Sequence, residues 1–313
     1  MDKKPVFKTF GITKQYGKHK ALDSVDMTVY EGDIYGFVGE NGAGKTTLIR
    51  LASGLIKKSG GDYTLFGVSK NEPNFFEAKS KTAAIVESVT ITKGLTALEN
   101  LRLHCEMTGT KKADEELIQL INDVGLNYKE IEKKQAGSFS LGMRQRLGLA
   151  TVLISDPKFV LLDEPMNGLD PQGFVDIRET ILRLNKKGVT FLISSHILAE
   201  LDKICTRVGF LSRGHLVTEL SIDELHEKAR KKIIIRAHDV DHVLAELKKA
   251  FKIQEVKFEG ESIFIYDAID INDIMKFFVE KNIKILSLSF VEETIEDFYS
   301  QLMREGSNLW KIY

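Results

Sequence analysis

With 313 residues, the chain is long enough to bury a full core and to divide into one large and one small domain. Apolar residues make up 43% and charged residues 28%, an ordinary globular balance, and the formal net charge of −1 excludes a global basic field that would gather DNA or RNA. Cys105 and Cys205 are too few for a disulfide framework and lack metal-ligand spacing, so both are read as reduced structural residues of a cytosolic protein. The opening Met1-Asp2-Lys3-Lys4-Pro5-Val6-Phe7 lacks the apolar core of a signal peptide. No uncharged apolar run approaches about 18 residues, so a membrane span is not expected and work at a membrane would go through a partner.

Strand and helix patterns alternate from the N-terminus to about residue 225, which predicts a mostly parallel sheet in an α/β layer fold. Asp33-Ile34-Tyr35-Gly36-Phe37-Val38 reads as a buried strand, and Thr47-Leu48-Ile49-Arg50-Leu51 as a helix start. Between them, Gly39-Glu40-Asn41-Gly42-Ala43-Gly44-Lys45-Thr46-Thr47 matches G-x-x-x-x-G-K-[ST], the phosphate-binding loop of nucleoside triphosphatases. Glycines let the backbone curl until successive N–H groups point at the phosphates. Lys45 is placed to reach the β- and γ-phosphates and the Thr46 hydroxyl to ligate Mg²⁺, while the helix start adds its positive end. The candidate nucleotide contacts are therefore Gly39, Asn41, Gly42, Ala43, Gly44, Lys45, Thr46 and Thr47.

Further on, Ala83-Ala84-Ile85-Val86 reads as a strand that ends at Glu87. Between about 90 and 150 the alternation breaks. Leu98, Leu101, Leu103, Met107, Leu117, Leu120, Ile121 and Val124 recur at largely helical spacing, which predicts a helical insert. Its charge run Lys111-Lys112-Ala113-Asp114-Glu115-Glu116 reads as a solvated loop and helix start. Phe159-Val160-Leu161-Leu162-Asp163-Glu164 is an apolar strand tipped by two acids. Asp163 suits the Mg²⁺ shell, and Glu164 is placed to polarise an attacking water as general base.

Around Ala229-Arg230-Lys231-Lys232 the pattern changes. A strand at Ile233–Ile235, a helix over Val240–Phe251 and a strand over Ile253–Phe258 follow. A hairpin turn at Glu259-Gly260-Glu261, a strand over Ser262–Tyr266, a helix near Ile271–Glu280 and a strand over Ile283–Ser289 complete a β-α-β-β-α-β order. That order favours a small split-βαβ sandwich, closed by a last helix at about Val291–Arg304. The expected domains are 1–229 and 230–313.

Between the phosphate loop and the acid-tipped strand lies Ser138-Phe139-Ser140-Leu141-Gly142-Met143-Arg144-Gln145-Arg146, and after the strand come Gly168-Leu169-Asp170 and Ser194-Ser195-His196. In motif order and spacing, about residues 5 to 225 resemble the ATPase subunit of an ATP-binding-cassette (ABC) transporter. The resemblance implies a P-loop NTPase ABC ATPase domain with a mostly parallel core sheet, an antiparallel β subdomain and the helical insert, followed by a ferredoxin-like α+β domain. It further implies that Tyr16 stacks on adenine and that Ser140 and Gly142 contact the γ-phosphate held by a second copy. Asp170 would cross the dimer interface, and His196 would contact the γ-phosphate. Two copies would pack head-to-tail around two ATP molecules, held at the inner face of the membrane by a separate permease. The C-terminal domain resembles the extension on many bacterial export ATPases, where a dimer-stabilising or regulatory role is favoured.

Two departures narrow the resemblance. Met143 stands where the family usually has glutamine and cannot bond like one. Glu87 also replaces a usual glutamine; its carboxylate suits Mg²⁺, yet without the metal it would repel the γ-phosphate. Glutamate there, with Ser-Leu-Gly-Met, resembles the ATPases of bacitracin-resistance and lantibiotic self-immunity exporters. An exporter of other cargo remains the alternative. A soluble cassette acting on ribosomes or nucleic acid fits less well, since the chain has one cassette, no sustained heptads and near-neutral charge.

Overall fold

The computed structural model describes residues 3–88, 90–228 and 231–292, together with 297, 298, 300 and 302. The chain divides into two compact units at Ile222/Asp223, a few residues before the change of composition at Ala229.

The first unit opens with strands β1 (Pro5–Tyr16), β2 (His19–Val25) and β3 (Thr28–Tyr30). Strand β4 (Ile34–Val38) leads into helix α1 (Lys45–Ala52). Next come β5 (Gly60–Leu65), β6 (Val68–Ser69), α2 (Phe75–Ser80) and β7 (Thr82–Ile85). The insert carries α3 (Ala97–Thr108), α4 (Asp114–Asp123), α5 (Tyr128–Ile131) and α6 (Leu141–Leu153). The unit continues through β8 (Phe159–Asp163), α7 (Pro171–Lys186), β9 (Thr190–Ser195), α8 (Leu198–Asp202), β10 (Arg207–Ser212) and β11 (His215–Ser221). Alternation of strand and helix fails at the start, where β1, β2, β3, β5 and β6 form an antiparallel sheet of their own.

The other sheet has the order β11-β10-β4-β9-β8-β7 and is parallel apart from the β10–β11 hairpin. Every residue of β4, β8 and β9 is buried. These strands read as continuous apolar runs because both faces of a parallel sheet are covered. One core joins the two sheets across α1, with the Phe7 and Phe159 rings 6.0 Å apart.

Central packing leaves little room. A Cβ on Gly36 of β4 would lie 2.8 Å from Cys205 Sγ and 3.2 Å from Leu201 and Val208 side-chain carbons. Burial, helped by nearby Asp202, pushes the Cys205 thiol well up, so it is an inert packing group at neutral pH.

The second unit comprises α9 (Ile222–Lys228, shared with the boundary), β12 (Lys231–Arg236), α10 (Val240–Ala250), β13 (Val256–Glu259), β14 (Ser262–Ile265), α11 (Ile271–Glu280) and β15 (Ser287–Glu292). Its antiparallel sheet runs β13-β14-β12-β15, which is the second, third, first and fourth strands of a split βαβ unit. Ile233, Ile235, Ile263 and Ile265 pack one face of that sheet against Val243 and Leu247 of α10 and Ile274 and Phe278 of α11.

Two strands begin later than the pattern predicts. The Asp267 carboxylate accepts from the N–H groups of Gln254 and Glu255, so β13 starts at Val256. After α11, Asn282 adopts φ 51° while Ile283 N donates to Phe278 O (2.9 Å) and Asn282 N to Val279 O (3.2 Å). That helix-terminating motif keeps Ile283 wrapped on the helix end, and β15 starts only at Ser287. Val291 belongs to β15, and the helix expected to about Arg304 falls largely outside the described residues.

Because the Gly36 site is full, Gly36→Ala is expected to cost about 1–3 kcal/mol in urea denaturation. Adding Cys205→Ala should recover part of that loss; an undiminished cost in the double variant would place the strain elsewhere.

Candidate functional site

The phosphate loop hangs between the ends of β4 and α1. A Cβ on Gly39 would lie 2.4 Å from Leu211 O, and one on Gly44, at φ 113°, 2.3 Å from Ala21 O. Only glycine fits such backbone approach at both places. The loop is pinned by Ala43 N donating to Glu40 O (3.1 Å) and Gly214 N donating to Ala43 O (2.9 Å). Asn41 and Gly42 are exposed, Ala43 is buried, and Thr47 is half-buried in the first turn of α1. No side chain caps α1, so its first-turn N–H groups face outward without intrahelical partners.

Lys45 is 5% exposed, and its ammonium donates to Gly39 O (2.6 Å) and Glu40 O (3.2 Å). It also lies 3.3 Å from Glu164 Oε1. A buried cation beside open helix N–H groups fits the phosphates of a nucleotide.

One turn of α1 carries Thr46 to the tip of β8, where its hydroxyl donates to Asp163 Oδ1 (3.1 Å). The Ser194 hydroxyl donates to the same oxygen (2.7 Å). Asp163 is 8% exposed and, among the described residues, is joined by these hydroxyls rather than by a cation. A buried carboxylate is normally paired or metal-bound, so hard oxygen donors here fit Mg²⁺.

Glu164 follows at φ 48°, a left-handed conformation uncommon for glutamate. Its N–H donates to Ser194 Oγ (2.9 Å) and lies 3.2 Å from Ser194 O. Its carboxylate bridges Lys45 and His196, whose Nδ1 is 2.8 Å from Oε2. Glu87 forms an ion pair with Arg50 of α1. Those side chains are 37% and 62% exposed, so the pair contributes about 0–1 kcal/mol.

Tyr16, 46% exposed, ends β1 opposite His19, near the β1–β2 turn. The same hairpin brings Ala21 of β2 against Gly44.

Ser140, Gly142 and Asp170 form a second group. Ser140 caps α6 by accepting from Met143 N (3.2 Å), and Asp170 caps α7 by accepting from Gly173 N (3.0 Å). A Cβ on Gly142 would sit 3.5 Å from Gly173 Cα and 3.7 Å from Leu169 Cδ2, so the two caps share one surface. Among the described residues no hydrogen bond or ion pair joins this group to the phosphate loop. Sequence reasoning passed over Ser194 and Arg50; the signals were a hydroxyl at a strand tip beside His196 and a cation four residues after Thr46.

The ABC transporter family profile matches residues 22–167. The bacitracin transport ATP-binding protein BcrA of Bacillus licheniformis is 37% identical over 311 residues, spanning 96% of this chain and 98% of that protein. This chain belongs to the ABC transporter family. As an ATP-binding ATPase of that family, it is also similar to the lantibiotic transport ATP-binding protein SrtF of Streptococcus pyogenes, 36% identical over 70% of this chain and 92% of that one. Among solved cassettes, the ADP conformation of MJ1267, an ATP-binding cassette of an ABC transporter, aligns with TM-score 0.64 at 26% identity, covering 72% of this chain and 95% of that one. ABC ATP-binding subunits work with membrane subunits; in this chain no described helix is long and apolar enough to cross a membrane.

In this ABC ATPase, Ser194 ties both tip acids to β9. Ser194→Ala is expected to destabilise by about 1–3 kcal/mol, because it removes two hydrogen bonds, one to the buried Asp163 carboxylate and one to the Glu164 N–H. ATP turnover should fall with it, and Ser194→Thr should restore most of both; equal losses in the two variants would show that the hydroxyl is not the cause.

Proposed function

We propose that the chain hydrolyses ATP to drive export of membrane-active peptide antibiotics through a separate transmembrane permease. The end-to-end likeness to a bacitracin transport ATP-binding protein carries this reading, and a carboxylate at Glu87, paired with Arg50 of the helix that follows the phosphate loop, supports it. The subunit would sit peripherally on the cytoplasmic face of the membrane, held there by the permease.

In the proposed site Tyr16 stacks on adenine. The backbone from Gly39 through Asn41, Gly42, Ala43 and Gly44 wraps the phosphates with the N–H groups of Lys45, Thr46 and Thr47. The Lys45 ammonium turns from its own loop carbonyls to the β- and γ-phosphates. Thr46, Asp163 and Glu87 would hold Mg²⁺, which when bound neutralises phosphate charge. Glu164 accepts the proton of the attacking water, and His196 orients that carboxylate and contacts the γ-phosphate.

The group of Ser140, Gly142 and Asp170, presented together on the starts of α6 and α7, would complete the site of a second copy in a head-to-tail pair. ATP closes the pair, hydrolysis reopens it, and the segment from Glu87 to Leu98 passes the motion to the permease.

Glu164→Gln is expected to lower hydrolysis by about 10²–10⁴-fold, the usual contribution of a general base. ATP binding should survive, as read by equilibrium titration; retained turnover would remove the base role. The same substitution in the native gene should sensitise the bacterium to bacitracin and lantibiotics but not to unrelated drugs. An unchanged profile at normal transporter levels would remove the peptide cargo and leave the ATPase.

A further inference from the structure

The turn after β7 holds Glu87 in a backbone conformation that few side chains adopt. Its φ is 64°, and Ser88 N donates to Val86 O at 2.8 Å, closing a three-residue turn around it. Turns of this kind with positive φ are rare and strained. Register explains where the side chain arrives. Strand β7 runs parallel to β8 with Ile85 opposite Leu162, so Glu87 follows its strand at the level of Asp163 and Glu164.

Arg50 approaches from α1. It lies four residues after Thr46, so both side chains project from one helix face, one to Asp163 and the other to Glu87. Strain and pairing therefore meet at the same residue. The partners are solvent-accessible, so their bond is readily exchanged.

We propose that Arg50 is a positioning residue that holds and neutralises Glu87 while no metal is bound, and so sets how strongly ATP binding depends on Mg²⁺. Paired with Arg50, the Glu87 carboxylate is screened from incoming phosphates. When Mg²⁺·ATP enters, Glu87 exchanges the guanidinium for the metal. This rests on the reading above that Glu87 faces the metal.

The test is titration of the full-length chain with a fluorescent mant-ATP probe, with Mg²⁺ and with EDTA, comparing the ratio of the two Kd values. Arg50→Gln leaves Glu87 bare and should raise the EDTA-to-Mg²⁺ ratio on the order of tenfold. Arg50→Lys, which keeps the charge, should stay near the wild-type ratio. In a Glu87→Gln background, Arg50→Gln should leave the ratio unchanged. Thermal unfolding by circular dichroism checks each variant, and exposed Glu87→Gln and Arg50→Lys are informative even if Arg50→Gln folds poorly. If Glu87→Gln alone fails to lower the ratio, the metal-facing reading of Glu87 falls and the inference with it. If it lowers the ratio but Arg50→Gln has no effect, or has the same effect without Glu87, only the pairing inference is overturned.

Discussion

The parallel register among β4, β9 and β8 is the constraint on which the site rests. Val38 lies opposite Ser195, and Ser194 opposite Asp163, so three strands end at one edge of the sheet. From that edge emerge the phosphate loop, the paired acids and the turn to His196. A slip of one residue would turn Asp163 to the other face, away from Thr46. Full burial of all three strands opposes such a slip, because every side chain already has a packed neighbour.

Within that frame, the charges divide by partner. Glu164 is shared between a buried ammonium and an imidazole, and Glu87 is held by a guanidinium. Asp163 alone of the three acids is satisfied by hydroxyls. Each acid of the cluster therefore already has a partner while no nucleotide is bound, and under the proposed function nucleotide entry becomes an exchange of partners rather than an ordering of new backbone. The left-handed φ of both Glu164 and Glu87 shows that backbone geometry, as well as charge, aims these acids.

The second group follows a different logic. Ser140 and Asp170 act first as helix caps, and their helices meet where Gly142 lets α6 approach Gly173. Caps of this kind stabilise their helices by about 1 kcal/mol each, which alone accounts for the residue types. A structural role and a role across an interface are compatible, since the hydroxyl and carboxylate stand at exposed helix starts.

Much was legible in the chain itself. The phosphate loop, acid-tipped strand and motif order are local patterns whose chemistry depends on residue type and spacing, so the family could be read from sequence and the candidate site residues could be named there. The split-βαβ order of the last domain followed from periodicity, but the starts of β13 and β15 did not. They depend on the carboxylate of Asp267 and on the chain wrapping at Asn282, and neither leaves a periodic signal. Ser194 became visible only when β9 lay beside β8, and Arg50 only when its side chain met Glu87 in the turn after β7. Residue type and spacing therefore determined the chemistry available to this protein. Strand register and helix packing decided which acid meets which cation, because those partners lie far apart in the chain and are brought within bonding distance only by burial of the core between them.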